Sequence, residues 1–432
     1  MSLQATIDRA LAETPPGRAV WVALSGGLDS SLLLTLAADA CRRYPRPLYA
    51  LHVHHGLQPA ADDFECHCRQ LCAQLGVPLC VERVSVALDA GRGLEGAARE
   101  ARYAAFARCV GEGETLWLAQ HRDDQAETFL LAGLRGSGVR GLAGMPASRD
   151  WQGRDLQRPL LGVSRADFEE AAGQLALDWV EDPSNVDIGL DRNRLRQTLM
   201  PLLEARWPQA MASLARSAQL AGEADSLLEE LASLDLAALG GVAEQLPITP
   251  LVALSAPRQR LLIRHCCQRL GLPTPPAARL ATLLEQLASR DDAEVCVAWS
   301  GAEARCWRGR LYLLGPAPVL PDGWRVEWDG RQPLDTPLGQ LASVLEPEGG
   351  EPVTLRVSAR QGGERLQQPQ RGSRDLKRLL QEAGVPPWRR QRLLVVWCGE
   401  QVVAVLDETG RAAVPCAPGW VFKTSPVAPG SG

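Results

Sequence analysis

Residues 25–30 read Ser-Gly-Gly-Leu-Asp-Ser, directly after the apolar run AVWVAL and directly before SLLLTLAADACRRY. Two glycines let a backbone come close to a ligand and turn several N–H groups one way. A helix that starts at once adds the positive end of its dipole. Ser25, Gly26, Gly27, Leu28, Asp29 and Ser30 therefore read as a phosphate cradle. It is not the G-x-x-x-x-G-K-S/T loop, and the chain's two lysines, Lys377 and Lys423, lie far downstream. Asp29 would repel a bare phosphate, so its place beside the cradle points to Mg²⁺ between them. A tight turn capped by Asp29 or Ser30 would use the same residue types and bind nothing.

A second group follows the run TLWLAQ, which reads as a strand. His121 stands at its carboxyl end, and Asp124 and Glu127 follow at i, i+3 on the next helix, sharing a face. Two carboxylates there can hold an ammonium group or help bind Mg²⁺; acidic residues in a first turn also suit the helix dipole. Arg99 and Arg102, in REARY on a helix, can each reach a phosphate or a developing negative charge. His52, His54 and His55 lack Cys or carboxylate neighbours at ligand spacing, so a structural role or a backbone-lined adenine pocket is expected in place of a metal. Cys66, His67, Cys68 and Cys72 lie on an amphipathic pattern that scatters the sulfurs around the helix axis, so they read as packing residues.

These residues need a frame, and the first half supplies one. Short apolar strands (AVWVAL, LYALHVHH, PLCVERV, TLWLAQ) alternate with amphipathic helices. That pattern implies a parallel sheet covered on both faces, with ligands beyond the carboxyl ends of its strands. From about residue 211 to 315 the pattern is mostly helical, closing on EVCVAW and RLYLLG. Residues 316–352 are rich in Pro and Gly and read as a connector or short β-structure. A last α+β unit is expected over 353–432, and the α/β domain that opens the chain over 1–210.

With 432 residues, 46% of them hydrophobic and 22% charged, the chain is long enough for several cores. No apolar stretch reaches membrane-spanning length, and the first residues lack a basic head followed by an apolar core. Twelve cysteines at irregular spacings suit a reducing cytoplasm. The net charge is −5, yet Arg356 to Arg392 holds ten Arg/Lys against three Asp/Glu. A basic segment on an acidic chain points to an anionic partner there, unless it is a solvated face.

The Ser-Gly-Gly-x-Asp-Ser loop after a first strand resembles the loop of the N-type ATP pyrophosphatases, the PP-loop enzymes, whose domain is Rossmann-like. Further stretches narrow the likeness: HVHHGL at 52–57, EGAAREARY at 95–103, AQHRDDQAET at 119–128, EDPSNVDIGLDRNRLRQTLMPLL at 181–203 and QRGSRDLKRLLQEAGVPPWRR at 370–390. Together, and in this order, they are similar to the bacterial tRNA(Ile)-lysidine synthetases through nearly the whole chain.

The resemblance implies a ligase that uses ATP and Mg²⁺ to attach free L-lysine to the wobble cytidine of the isoleucine tRNA with a CAU anticodon. The C2 oxygen of the base is adenylated with release of pyrophosphate, and the lysine amine then displaces AMP. Lysidine reads AUA in place of AUG. It further implies catalytic roles for Asp29, Asp124, Glu127 and one of Arg99 and Arg102. His121, Asn193, Arg194 and Arg196 become substrate contacts, with Asn193 and Arg196 favoured. Arg371, Arg374, Lys377 and Arg378 become tRNA contacts, meeting backbone phosphates. The nearest alternative is a tRNA thiolase of the same superfamily. Such chemistry would want C-x-x-C pairs, and the chain has none.

Overall fold

The computed structural model describes residues 2–56, 61–86, 93–289, 295–368 and 372–424. Two compact units divide the chain, Met1–Leu231 and Ala232–Gly432. The break falls inside a long helix, later than the expected boundary at 210/211.

In the first unit the elements run α1 (Leu3–Glu13), β1 (Val20–Ala23), α2 (Leu28–Arg43), β2 (Leu48–His54), α3 (Ala61–Leu75), β3 (Leu79–Arg83), α4 (Gly93–Cys109), β4 (Thr115–Trp117), α5 (Arg122–Leu134), α6 (Val139–Leu142), β5 (Ser148–Trp151), β6 (Arg154–Gln157) and α7 (Arg165–Gln174). The strands form one sheet in the order β3-β2-β1-β4-β6-β5. All neighbours are parallel except the β5–β6 hairpin at one edge. This is the α/β fold expected from the alternating pattern.

The order carries the functional consequence. From β1 the chain winds outward through β2 to β3, then crosses back to place β4 on the other side of β1. In open sheets of this kind ligands bind in the crevice where the winding reverses, here outside the carboxyl ends of β1 and β4. The Ser25–Ser30 loop leaves β1 there, and His121 follows β4 there. The layer beneath is apolar: Val20, Val22, Leu32, Leu33 and Leu34 are fully buried with Trp117 and Phe168. Truncating one of these leucines to alanine costs about 2–5 kcal/mol, so the crevice rests on a rigid floor.

After a 3₁₀ turn at Pro183–Val186 come α8 (Asp191–Arg194), a π-helical segment at Leu195–Leu199, α9 (Met200–Arg206) and the long α10 (Ala210–Ala238). The second unit continues with β7 (Gln245–Pro247), α11 (Ile248–Ala253), α12 (Ala256–Arg269), α13 (Ala277–Ser289), β8 (Cys296–Trp299), β9 (Ala302–Trp307) and β10 (Arg310–Leu314). Its antiparallel sheet, β7-β10-β9-β8, packs on the helices through Leu262, Ile263, Cys266, Leu280, Leu283 and Leu311.

Next come β11 (Arg325–Trp328), β12 (Leu334–Thr336), β13 (Gly339–Leu341), β14 (Ser343–Pro347), β15 (Leu355–Ala359), β16 (Arg365–Gln368), β17 (Gly372–Asp375), α14 (Leu376–Glu382), α15 (Pro387–Arg390), β18 (Leu394–Cys398), β19 (Gln401–Leu406) and β20 (Trp420–Thr424). The main sheet here is β11-β15-β18-β19-β16-β17. Of the two readings of 316–352, the short β-structure holds and the separate connector does not. β11 pairs with β15, β14 pairs with β20, and Trp328, Leu334, Leu341 and Leu345 share one core with Leu355, Val357 and Val396. The stretch belongs to the C-terminal domain. Its prolines and glycines sit between strands of three to five residues, apart from Gly339 in β13 and Pro347 in β14, and they obscure the strands' periodicity.

Candidate active site

The loop after β1 is closed by its own serines. Ser30 Oγ accepts from the Ser25 backbone N–H at 3.0 Å, meets Ser25 Oγ at 2.9 Å and donates to the Gly27 carbonyl at 3.2 Å. Gly26 has φ +91°, and a Cβ there would lie 3.2 Å from Phe64 Cδ1 and 3.3 Å from Cys68 Sγ. Backbone and space both require glycine at 26. Gly27 is different: its φ is −78°, it starts α2 with no side-chain cap, and a Cβ would meet nothing closer than 3.6 Å. No protein atom therefore dictates the second glycine, and the first-turn N–H groups of α2 keep no side-chain acceptor. An open helix start beside a bare backbone suits a phosphate.

Asp29 lies in that first turn. Its Oδ1 accepts from Arg165 Nη1 at 2.7 Å, and its Oδ2 lies 3.9 Å from His121 Nε2. Burial pushes the Asp29 carboxyl above its usual range, against the pull of Arg165 and His121. Beyond the Mg²⁺ expected between Asp29 and a phosphate, the fold adds a guanidinium on one carboxylate oxygen and, among the described residues, sets no hydrogen-bond donor on the other. Arg165 was not singled out from the sequence. It opens α7 behind the capping residue Ser164, and its backbone N–H also donates to Asp123 Oδ2 at 2.9 Å. The pairing joins positions 136 residues apart, which no local pattern encodes.

His121 caps α5 and is 2% exposed. Its Nδ1 accepts from the Asp123 N–H at 3.2 Å, which leaves Nε2 protonated. That Nε2–H faces Asp124 Oδ2 at 3.6 Å and Asp29 Oδ2 at 3.9 Å. Asp124 returns the cap by accepting from the His121 backbone N–H at 3.0 Å. Capping chemistry thus fixes both the tautomer and the direction of the ring.

Asp124 and Glu127 share a face, as their spacing predicts, and one arginine holds both. Arg196 Nε donates to Glu127 Oε1 at 2.7 Å and its Nη2 to Asp124 Oδ1 at 3.1 Å. Arg196 projects from the π-helical turn, a geometry often found at functional sites. Glu127 is fully buried, and its Oε2 has no hydrogen-bond partner among the described residues. Burial raises the Glu127 carboxyl above its usual range, opposed by Arg196. A buried carboxylate oxygen without a donor costs free energy, and an incoming ammonium would supply the donors.

The remaining sequence-selected residues fall elsewhere. Asn193 gives its amide hydrogens to the carbonyls of Ser184 at 2.8 Å and Asp187 at 2.9 Å, and Arg194 Nε reaches the Ile188 carbonyl at 3.2 Å. Both tie down the 182–190 loop, and the Asn193 amide has no hydrogen left for a substrate. Arg99 lies over the Tyr103 ring at 4.9 Å and is exposed. Arg102 is near enough to His55 to help burial hold that imidazole's pKa down. His52 Nδ1 lies 2.9 Å from the Leu24 carbonyl and fastens β2 to the start of the loop. Cys68 and Cys72 are buried packing residues as expected, while Cys66 is exposed. In the second unit Arg374 lies on β17, and exposed Lys377 and Arg378 open α14 behind its cap Asp375. Arg371 lies outside the described residues.

A Ser-Gly-Gly-x-Asp-Ser loop after the first strand, at the reversal of a parallel sheet, marks the PP-loop class of ATP-using enzymes. The PP-loop domain family matches residues 1–203, the TilS substrate binding domain family 246–312 and the TilS substrate C-terminal domain family 355–420. The chain is 47% identical over 405 residues to the tRNA(Ile)-lysidine synthase of Xanthomonas axonopodis pv. citri (strain 306), covering 92% of this chain and 91% of that protein. It is 44% identical over 442 residues to the tRNA(Ile)-lysidine synthase of Pseudomonas aeruginosa, covering 98% and 97%. Among solved structures it is similar to the U34-tRNA thiolase NcsA of Methanococcus maripaludis with its four-iron, four-sulfur cluster. That likeness has a TM-score of 0.42 at 19% identity and covers 50% of this chain and 77% of that one. The chain belongs to the tRNA(Ile)-lysidine synthase family, enzymes of the ligase type. Among the described residues no helix is long and apolar enough to cross a membrane.

Proposed function

We propose that this enzyme ligates free L-lysine to C2 of the wobble cytidine in the CAU anticodon of tRNA(Ile), in two steps at the β1/β4 crevice. In the first, the C2 oxygen of the base attacks the α-phosphorus of ATP and the bond to pyrophosphate breaks. The 25–30 backbone and the start of α2 hold the departing pyrophosphate. Asp29 fits Mg²⁺ through its Oδ2, the oxygen Arg165 does not hold, since such ions use one or two carboxylates plus phosphates. When bound, that ion neutralises phosphate charge. The His121 Nε2–H and the Arg165 guanidinium keep Asp29 aimed at the loop.

In the second step the lysine amine attacks C2, the C2–O bond breaks, and AMP leaves with the oxygen. Glu127 Oε2 carries this reading. It is a buried acceptor without a donor among the described residues, beside Asp124 on α5, the helix that follows the strand next to the phosphate loop. It suits an ammonium of the incoming lysine, and its raised pKa suits it to take a proton from that group. The work is positioning and charge stabilisation on an extruded base, and no protein nucleophile is required. No observation favours the thiolase reading.

The test is incorporation of labelled lysine into an isoleucine tRNA transcript with a CAU anticodon, with ATP present and methionine tRNA as control. Lysine, pyrophosphate and AMP in equal amounts, from the isoleucine transcript alone, support the proposal. Absence of ATP-dependent label, or labelling of both transcripts alike, overturns it.

A further inference from the structure

A second cluster lies at the β3 edge of the same sheet, and the chemistry above does not use it. Cys80 stands on β3, Glu82 two residues on, and Cys109 is the last residue of α4. Among the described residues this is the one trio of His, Cys, Asp or Glu whose candidate ligand atoms all lie within 4.8 Å of one another. We propose that Cys80, Cys109 and Glu82 bind a zinc-class divalent cation, with water as the fourth ligand.

Four observations support it. The two sulfurs are 3.6 Å apart. Thiolates about 2.3 Å from a tetrahedral zinc are about 3.8 Å apart, far from the roughly 2.0 Å of a disulfide. The backbone thus already holds the sulfurs at the spacing a metal needs. Cys109 also ends a 17-residue helix, whose negative dipole end favours a cation. The charges balance: two thiolates and one carboxylate face the cation together with Arg108, whose Nη2 donates to Glu82 Oε2 at 2.8 Å. Arg108 uses one Glu82 oxygen and leaves Oε1 for the metal, an outer partner of the kind that orients ligands. Without a cation, three acidic groups crowd together. Binding would release the two thiol protons to solvent and pin the end of α4 to the sheet edge.

The experiment uses the full-length protein, reduced, stripped with a chelator and desalted, then titrated with Co²⁺ as an optical probe and with Zn²⁺ in competition. The expected result is one equivalent of Co²⁺ with thiolate charge-transfer and tetrahedral bands, displaced by Zn²⁺. The Cys80→Ser/Cys109→Ser variant loses those bands, Glu82→Gln binds at least about tenfold more weakly, and Cys66→Ser behaves as the wild type. Circular dichroism reports whether each variant is folded, and Cys109→Ser alone serves if the double variant is not. No charge-transfer band in the wild type overturns the proposal. So do equal bands in wild type and cysteine variant, or a Cys80–Cys109 disulfide that leaves no cobalt binding after reduction.

Discussion

The crevice above β1 and β4 and the basic face around α14 use charge in opposite ways. In the crevice each charged side chain is partnered: Asp29 with Arg165, and Asp124 and Glu127 with Arg196. Glu127 is fully buried while Asp29 and Asp124 are partly so, and among the described residues Glu127 Oε2 is the buried carboxylate oxygen here with no hydrogen-bond donor. Around α14, Arg374, Lys377 and Arg378 make no ion pair among the described residues, and the last two are exposed. Paired, buried charge is stiff and acts within a few ångströms. Exposed, unpaired charge acts at a distance and is screened by salt. The first suits bond making and the second suits holding a polyanion.

The comparison breaks most severely at Asp29. Asp29→Asn should lower pyrophosphate release about 100- to 1000-fold while tRNA affinity stays near wild type. Release and tRNA binding, measured separately, check this; normal release would remove Asp29 from the chemistry. Arg196→Ala should come next. It strands Asp124 and Glu127 without their shared donor, so turnover falls and the fold loses about 1–3 kcal/mol, discounted because Arg196 is half exposed. Urea unfolding and lysine transfer on the same preparation test both halves of that statement.

The basic face should yield a smaller and different effect. Replacing Arg374, Lys377 and Arg378 together by alanine should weaken tRNA binding about tenfold at moderate salt. The slope of log affinity against log salt should fall by about 2 to 3. Parallel lines of equal affinity would mean a solvated face. The smallest effect concerns stability. Glu127 has a raised pKa in the folded chain, so its contribution is fully present below the ordinary carboxylate range and is lost as pH rises through the raised value. Glu127→Gln does not bear that cost. The variant's melting temperature relative to wild type should therefore climb as pH rises through that window, even as lysine transfer is lost. A difference that does not change with pH contradicts the assignment.

Much of the crevice was legible in the sequence because its signals are local. Two glycines after an apolar run give the loop, and an i, i+3 spacing gives the shared face of Asp124 and Glu127. Arg196 entered through family likeness, since nothing around it foretells a π-turn that aims it at α5. Asn193 came by the same route, and the fold commits its amide to loop carbonyls. Arg165 stayed hidden because its partner is distant in the chain. Over 316–352 the sequence left connector and short β-structure undivided, because the strands there are too short, and too broken by Pro and Gly, to show a period.

Steady-state kinetics with varied tRNA, at low and high salt, on wild type, Asp29→Asn and the Arg374/Lys377/Arg378 triple variant bears most directly on the division of labour. Asp29→Asn should lose kcat at both salts and keep its KM for tRNA. The triple variant should keep kcat, raise KM and lose most of the salt dependence of KM. A triple variant that loses kcat at saturating tRNA, or an Asp29→Asn enzyme whose defect disappears at high tRNA, would contradict it.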